Sequence, residues 1–389
     1  MLPSTNVTRE GWDIFCTVID NFGDAGVCWR LARQLADEYG LSVRLWIDDL
    51  CALQRLWPDI ALDLEVQRVA GVTVCRWRAS FAEAFVEIEA ADVVIEAFAC
   101  TLPENYVAAM TRRAQPSLWI NLEYLSAESW VEDCHGLASP QGGSALQKYF
   151  FFPGFTANTG GLLCERDLLA QRQAFQADTG ARDRFLATFG VQAAAGATVI
   201  SLFAYATAPL AELLDALAAG PAPTLCLVPE GRLLPAVAQY FDDTALAVGA
   251  QRTRGALTVA VLPFLRQDDY DRLLWSCDLN CVRGEDSFVR AQWAARPLLW
   301  QIYPQQDEAH WAKLEAFLDL YQAALPAAEG AALTAVWHAW NGRGDLRAAW
   351  RALQPLLPGL RIAAQHWAEQ QGARANLAAA LAQFCANHV

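Results

Sequence analysis

Short apolar runs, each bounded by a turn and followed by a helical pattern, recur along most of the chain. Residues 14–19, 41–47, 92–97 and 117–122 make one set, with a shorter candidate at 72–76. Residues 198–203, 224–228, 257–262, 279–283 and 298–302 make a second. Such runs lack the alternation of a half-exposed strand, so they predict parallel sheets covered on both faces. Helical patterns fall between them, at 25–39, 50–57 and 103–112 in the first half. In the second half they fall at 208–219, 233–240, 268–277, 286–294 and 308–324. At 389 residues the chain exceeds what one core usually organises, and two α/β domains follow. Residues 1–170 are read as a first Rossmann-like domain and 171–371 as a second. Residues 372–389 are read as a C-terminal helix crossing back to the first domain. The aromatic, Gly-rich stretch 148–161 (KYFFFPGFTANTGG) reads as turn-forming, and the polar segment 165–184, with helical propensity, as the linker. The tail from 346 reads as helical and Ala-rich, broken at Pro355 and Pro358.

Composition excludes several classes. A hydrophobic fraction of 54% with 15 Trp and 18 Phe supplies two cores and rules out wholesale disorder. A net charge of −14 argues against a general nucleic-acid binder. Lys occurs only at Lys148 and Lys313, and no function is drawn from that skew. The eleven Cys contain no Cys-x-x-Cys, the nearest pair being Cys277 and Cys281, and the five His show no ligand spacing. The expectation is a reduced cytoplasmic protein without structural zinc. No charged leader with an apolar core opens the sequence, and no apolar stretch approaches the roughly 20 residues that span a bilayer.

Two segments carry chemistry. The first apolar run stops at Asp20-Asn21-Phe22-Gly23-Asp24-Ala25-Gly26, and a helix follows with Val27, Leu31 and Leu35 on one face and Gly40 as its stop. Two acids thus lie at the C-terminal end of a parallel strand, the edge where open α/β sheets bind ligands. Gly23 and Gly26 do not complete G-x-G-x-x-G, and two acids would repel a pyrophosphate, so a dinucleotide reading fails. The loop suits a cation, although Asp24 as a helix cap and Asp20 as a turn brace are the local alternatives. The second segment is Arg283-Gly284-Glu285-Asp286-Ser287, where a strand turns into a helix. A helix N-terminus, the Ser287 hydroxyl and the Arg283 charge suit a diphosphate, with capping by Asp286 or Ser287 as the alternative. Phe203 and Tyr205 (SLFAY), and Phe264 with Gln267 (LPFLRQ), follow strands of the same domain and suit a flat base. Asp48-Asp49 and Asp268-Asp269-Tyr270-Asp271 fall at helix starts and read as capping. Two doubly wound Rossmann-like domains facing across a cleft make an α/β fold of GT-B type, a layout that by itself leaves function open.

Together, DNFGDAG, FFPGFT…TGGLL, SLFAY, LPFLRQDDYD and RGEDSFVRAQWA, in order from about Trp12 to about Trp311, resemble the bacterial elongation factor P arginine rhamnosyltransferases. The resemblance implies an inverting GT-B glycosyltransferase that moves L-rhamnose from dTDP-β-L-rhamnose to an arginine of elongation factor P. It implies no metal or other cofactor, no nucleic-acid partner and no membrane attachment. It also implies Asp20 as general base with Asp24 as companion, and Glu285 as the donor-site acid beside Arg283, Asp286 and Ser287. The nucleotide pocket would comprise Phe203, Tyr205, Phe264 and Gln267, with Tyr303 near the diphosphate. Two other functions compete: a GT-B enzyme with a small or lipid-linked acceptor, and a non-enzymatic nucleotide-sugar sensor.

Overall fold

The computed structural model describes residues 10–19, 22–78, 89–141, 146–305 and 308–388. The chain divides into two compact units, residues 1–166 with 371–389, and residues 167–370.

In the first unit the chain runs β1 (Gly11–Cys16), α1 (Gly23–Tyr39), β2 (Ser42–Ile47), α2 (Leu50–Leu56), β3 (Val66–Val69) and β4 (Val72–Arg76). It continues through β5 (Val93–Ala97), α3 (Glu104–Arg112), β6 (Leu118–Leu122), α4 (Trp130–Cys134), β7 (Ala138–Pro140) and β8 (Gln147–Phe151). Among the described residues these strands form one sheet, ordered β3-β4-β2-β1-β5-β6-β8-β7. Its six inner strands are parallel, and β3 and β7 pair antiparallel at the two edges. Every residue of β5 and β6 is buried, as expected of strands covered on both faces. Charged residues also enter the core: Asp13, fully buried in β1, takes Arg44 of β2 through Nε at 2.5 Å and Nη2 at 2.6 Å, and the Tyr106 hydroxyl of α3. That network ties two strands and a helix through one carboxylate, which a buried charge requires. Helix α1 ends at Gly40, whose φ of 66° turns the chain left-handed while its N–H reaches Leu35 O.

The second unit contains α5 (Leu168–Ala177), α6 (Ala181–Ala187), β9 (Thr198–Leu202), α7 (Leu210–Ala218), β10 (Thr224–Pro229), α8 (Leu234–Tyr240), β11 (Gln251–Arg254) and β12 (Leu257–Leu262). Then follow α9 (Gln267–Ser276), β13 (Leu279–Arg283), α10 (Asp286–Trp293), β14 (Leu298–Gln301), α11 (His310–Gln322), α12 (Ala327–Trp340) and α13 (Leu346–Leu353). Its sheet is ordered β11-β12-β10-β9-β13-β14, parallel apart from β11. Segment 165–184, read as a linker, is mostly helical: α5 and α6 occupy it. Pro355 falls in a short 3₁₀ turn (Gln354–Leu356), while Pro358 sits in the first turn of α14 (Leu357–Gly372), where its missing N–H costs nothing.

The last helix, α15 (Leu377–Asn387), belongs to the first unit. The aromatic stretch 148–161 is its dock. Its first part is strand β8 rather than turn, and Phe384 packs edge-on against Tyr149 and Phe151. Leu377 N–H donates to Leu162 O at 3.0 Å, and Arg374 donates to Phe155 O. Gly161 has a φ of 72°, and a Cβ there would lie 2.2 Å from Ala375 O, so only glycine fits this approach.

Candidate active site

In the second unit, β13 ends at Arg283, Gly284 takes a φ of 61°, and α10 begins at Asp286. Glu285 occupies the N-cap, and its side chain makes no capping bond, so capping by Asp286 or Ser287 is not what this cluster does. Ser287 turns its hydroxyl back to Arg283 O and accepts the Arg283 N–H at 3.3 Å. The Trp300 indole N–H binds Gly284 O at 2.7 Å, and the same ring stacks on Phe288 at 3.9 Å. The strand-to-helix turn is therefore clamped from both sides, with a helix N-terminus at its mouth.

Arg283 is only 6% exposed, and its guanidinium lies 4.6 Å from the Phe203 ring centre and 4.5 Å from that of Tyr205. Two aromatic faces thus hold one cation, an arrangement favoured in a desolvated site. Tyr205 packs edge-on with Tyr303, which is 44% exposed, and Tyr205 N–H binds Gln301 Oε1 at 2.7 Å. Phe203 meets Tyr270 of α9 edge-on. Burial raises the Tyr270 phenol well above its ordinary value, with the nearby Ser287 hydroxyl and Arg283 opposing and Asp286 adding to the rise. The structure thus joins Phe203, Tyr205, Arg283, Ser287 and Tyr303 into one contact network. Phe264 lies between β12 and α9 and Gln267 opens α9, at the same C-terminal strand edge. The buried pair Arg290–Asp271, with Nε–Oδ1 2.9 Å and Nη2–Oδ2 2.6 Å, fixes α9 to α10. Asp271 is therefore an ion-pair partner and not the helix cap that its place in the sequence suggests.

In the first unit, Asp20 and Asn21 lie outside the described residues. The chain leading to them is held by two carboxylates on consecutive peptide groups. Asp48 Oδ1 accepts the Val18 N–H at 2.9 Å, and Asp24 Oδ2 accepts the Ile19 N–H at 2.8 Å. Asp24 is 3% exposed in the first turn of α1, whose N-cap is Phe22, so it braces the loop and does not cap the helix. The positive end of α1 favours its charge. Asp49, by contrast, caps α2 by accepting the Ala52 N–H at 2.9 Å. Beneath the loop, the Cys16 thiol is raised by its hydrogen bond with Cys28 and then by burial, and Cys28 is raised mainly by burial. Both stay protonated near neutrality and are unsuited to act as nucleophiles. Among the described residues no group of three or more His, Cys, Asp or Glu is placed to hold a metal ion, and no helix is long and apolar enough to cross a membrane.

Two parallel-rich α/β units, the second carrying a clamped Arg–Gly–Glu–Asp–Ser turn, make a fold of GT-B type. The spinosyn rhamnosyltransferase SpnG, complexed with thymidine diphosphate, shares that fold at a TM-score of 0.51 and 10% identity, over 96% of this chain and 98% of its own. Residues 12–386 match the family of the Elongation-Factor P (EF-P) rhamnosyltransferase EarP, and the chain belongs to that family. It is 55% identical over 376 residues to the protein-arginine rhamnosyltransferase of Pseudomonas aeruginosa, covering 97% of this chain and 99% of the relative. A solved structure giving the structural basis for EarP-mediated arginine glycosylation of translation elongation factor EF-P aligns with a TM-score of 0.70 at 42% identity. That alignment covers 97% of this chain and 99% of the other.

Proposed function

We propose that this protein transfers L-rhamnose from dTDP-β-L-rhamnose to a guanidinium nitrogen of one arginine of elongation factor P, in the cytoplasm, with inversion and without a metal. The observation that carries this reading is the end-to-end similarity to a protein-arginine rhamnosyltransferase, 55% identity over 97% of the chain. The residues supply a consistent chemistry. In the second unit, Arg283 and the N-terminal N–H groups of α10 take up the negative charge that develops on dTDP as the anomeric C–O bond breaks. Ser287 and Trp300 hold the turn that aims them. Phe203 and Tyr205 position the Arg283 guanidinium, each giving it one ring face, while Phe264 and Gln267 receive the base and Tyr303 closes over the diphosphate. Glu285 and Asp286 border the sugar.

On the acceptor side, a guanidinium has a pKa above ~12 and is a poor nucleophile. Asp20 accepts its proton as the nitrogen–carbon bond forms on the face opposite the departing dTDP, which inverts the anomeric centre. Help of this kind is typically worth ~10²–10⁴-fold. Asp24 fixes the backbone that presents Asp20 and adds negative charge that favours an oxocarbenium-like transition state.

The test is release of dTDP from dTDP-β-L-rhamnose with and without elongation factor P. Release that requires the acceptor supports transfer. Equal release with and without acceptor overturns it, and tight binding of the donor with no release at all would make the protein a sensor.

A further inference from the structure

The geometry points to a recognition site for the acceptor arginine at the end of β6, made by Asn121, Glu123 and Tyr124; it rests on the transfer reaction proposed above. Strands β1, β5 and β6 are successive neighbours in the sheet, so the chain after β6 emerges on the same edge as the Asp20 loop. The ends of β1 and β6 lie two inter-strand spacings apart, roughly 10 Å.

Asn121 is the orphan at this edge. It is 5% exposed, its Nδ2 donates to Glu123 Oε1 at 2.5 Å, and its Oδ1 is buried with no hydrogen-bond partner among the described residues. A carboxylate only accepts, so the amide nitrogen must face Glu123 and the oxygen must be the atom left over. A buried unsatisfied acceptor is costly and calls for a donor. Glu123 is partly exposed and forms no ion pair with a Lys or Arg among the described residues. Glu96, which lies opposite Asn121 on β5, is already neutralised: Lys148 Nζ and Trp119 Nε1 each lie 2.8 Å from its Oε2. Next in the chain, Tyr124 is half-buried and stacks on the buried Phe98, with ring centres 4.8 Å apart at 25°. One uncompensated carboxylate, one orphan carbonyl oxygen and one braced flat ring match a group that is cationic, planar and made only of donors. Among side chains that group is the guanidinium.

The experiment measures steady-state kinetics with elongation factor P as varied substrate, together with dTDP affinity and thermal unfolding, for Glu123→Gln and Tyr124→Leu. Losing a charge-assisted hydrogen bond to the acceptor raises its KM about 10–100-fold in Glu123→Gln, with dTDP affinity unchanged and the unfolding temperature near that of wild type. Tyr124→Leu, at a half-exposed ring, raises KM in the same direction and carries the test if Glu123→Gln does not fold. An acceptor KM within twofold of wild type in a folded variant overturns the assignment. Wild-type protein that never modifies the acceptor overturns the reaction itself, a separate outcome.

Discussion

Replacing Arg283 by Met tests the donor side most sharply, because Met keeps the length of the side chain and removes only its charge and donors. In the native site Arg283 is 6% exposed, and its guanidinium lies between Phe203 and Tyr205, at 4.6 and 4.5 Å. Cation–π contacts of this kind contribute ~0.5–2 kcal/mol each, and their loss is partly offset because a buried charge no longer has to be desolvated. Stability should therefore move little, by a few degrees in unfolding temperature. Binding of dTDP should move much more. A hydrogen bond to a charged group is worth about 1.5–3 kcal/mol, which at ~1.4 kcal/mol per tenfold weakens dTDP about 10–150-fold. Thymidine, which lacks the diphosphate, should bind the variant and the wild type alike. Calorimetric titration of both ligands reads the difference directly. Equal losses for dTDP and thymidine would refute the reasoning, since they would mean that Arg283 shapes the base pocket and does not meet the phosphates.

Three further outcomes are expected. Asp20→Asn should keep donor affinity and lose at least ~10²-fold in turnover; turnover within a fewfold of wild type would remove the base assignment. Gly161→Ala forces a left-handed backbone on alanine, costing ~1–2 kcal/mol, and drives a methyl group against Ala375 O. Denaturant unfolding should show a loss above about 2 kcal/mol with earlier proteolysis of the C-terminal helix, and an unchanged midpoint would contradict the close approach. His135, whose Nδ1 accepts the Phe152 N–H at 3.1 Å, has its pKa lowered by burial. The unfolded chain then binds the proton more readily, so stability should fall as pH drops below the ordinary histidine value near ~6.5. Melting curves between pH 8 and 5 for wild type and His135→Gln check this: equal slopes would exclude His135 as the source.

The sequence revealed what burial makes conspicuous. Strands β1, β5, β6, β9 and β13 lie inside their sheets, so both faces favour apolar residues and each appears as a mostly apolar run. The edge strands β3 (VQRV) and β11 (QRTR) are half-exposed, and a few polar residues carry no such signal. Helix α12 (AAEGAALTAVWHAW) escaped for a different reason: its apolar residues are spread around the whole circumference, leaving no face to recognise. At the site, the strand–turn–helix containing Arg283 was legible because Gly between charged residues at a strand end is a local signature. The partners of the acids were not. Asp24, Asp48 and Asp271 all stand near helix starts, where capping is the economical local reading, yet they bind Ile19, Val18 and Arg290. Which partner a carboxylate takes depends on side-chain torsions and on chain brought in from elsewhere, neither of which is written in the spacing.

Mass analysis of elongation factor P after incubation with this protein and dTDP-β-L-rhamnose tests the central claim most directly. Elongation factor P should gain one deoxyhexose, mapped by peptide fragmentation to a single arginine and absent when that arginine is replaced by lysine. An acceptor of unchanged mass while the donor is consumed, or a sugar carried on any other residue, would contradict it.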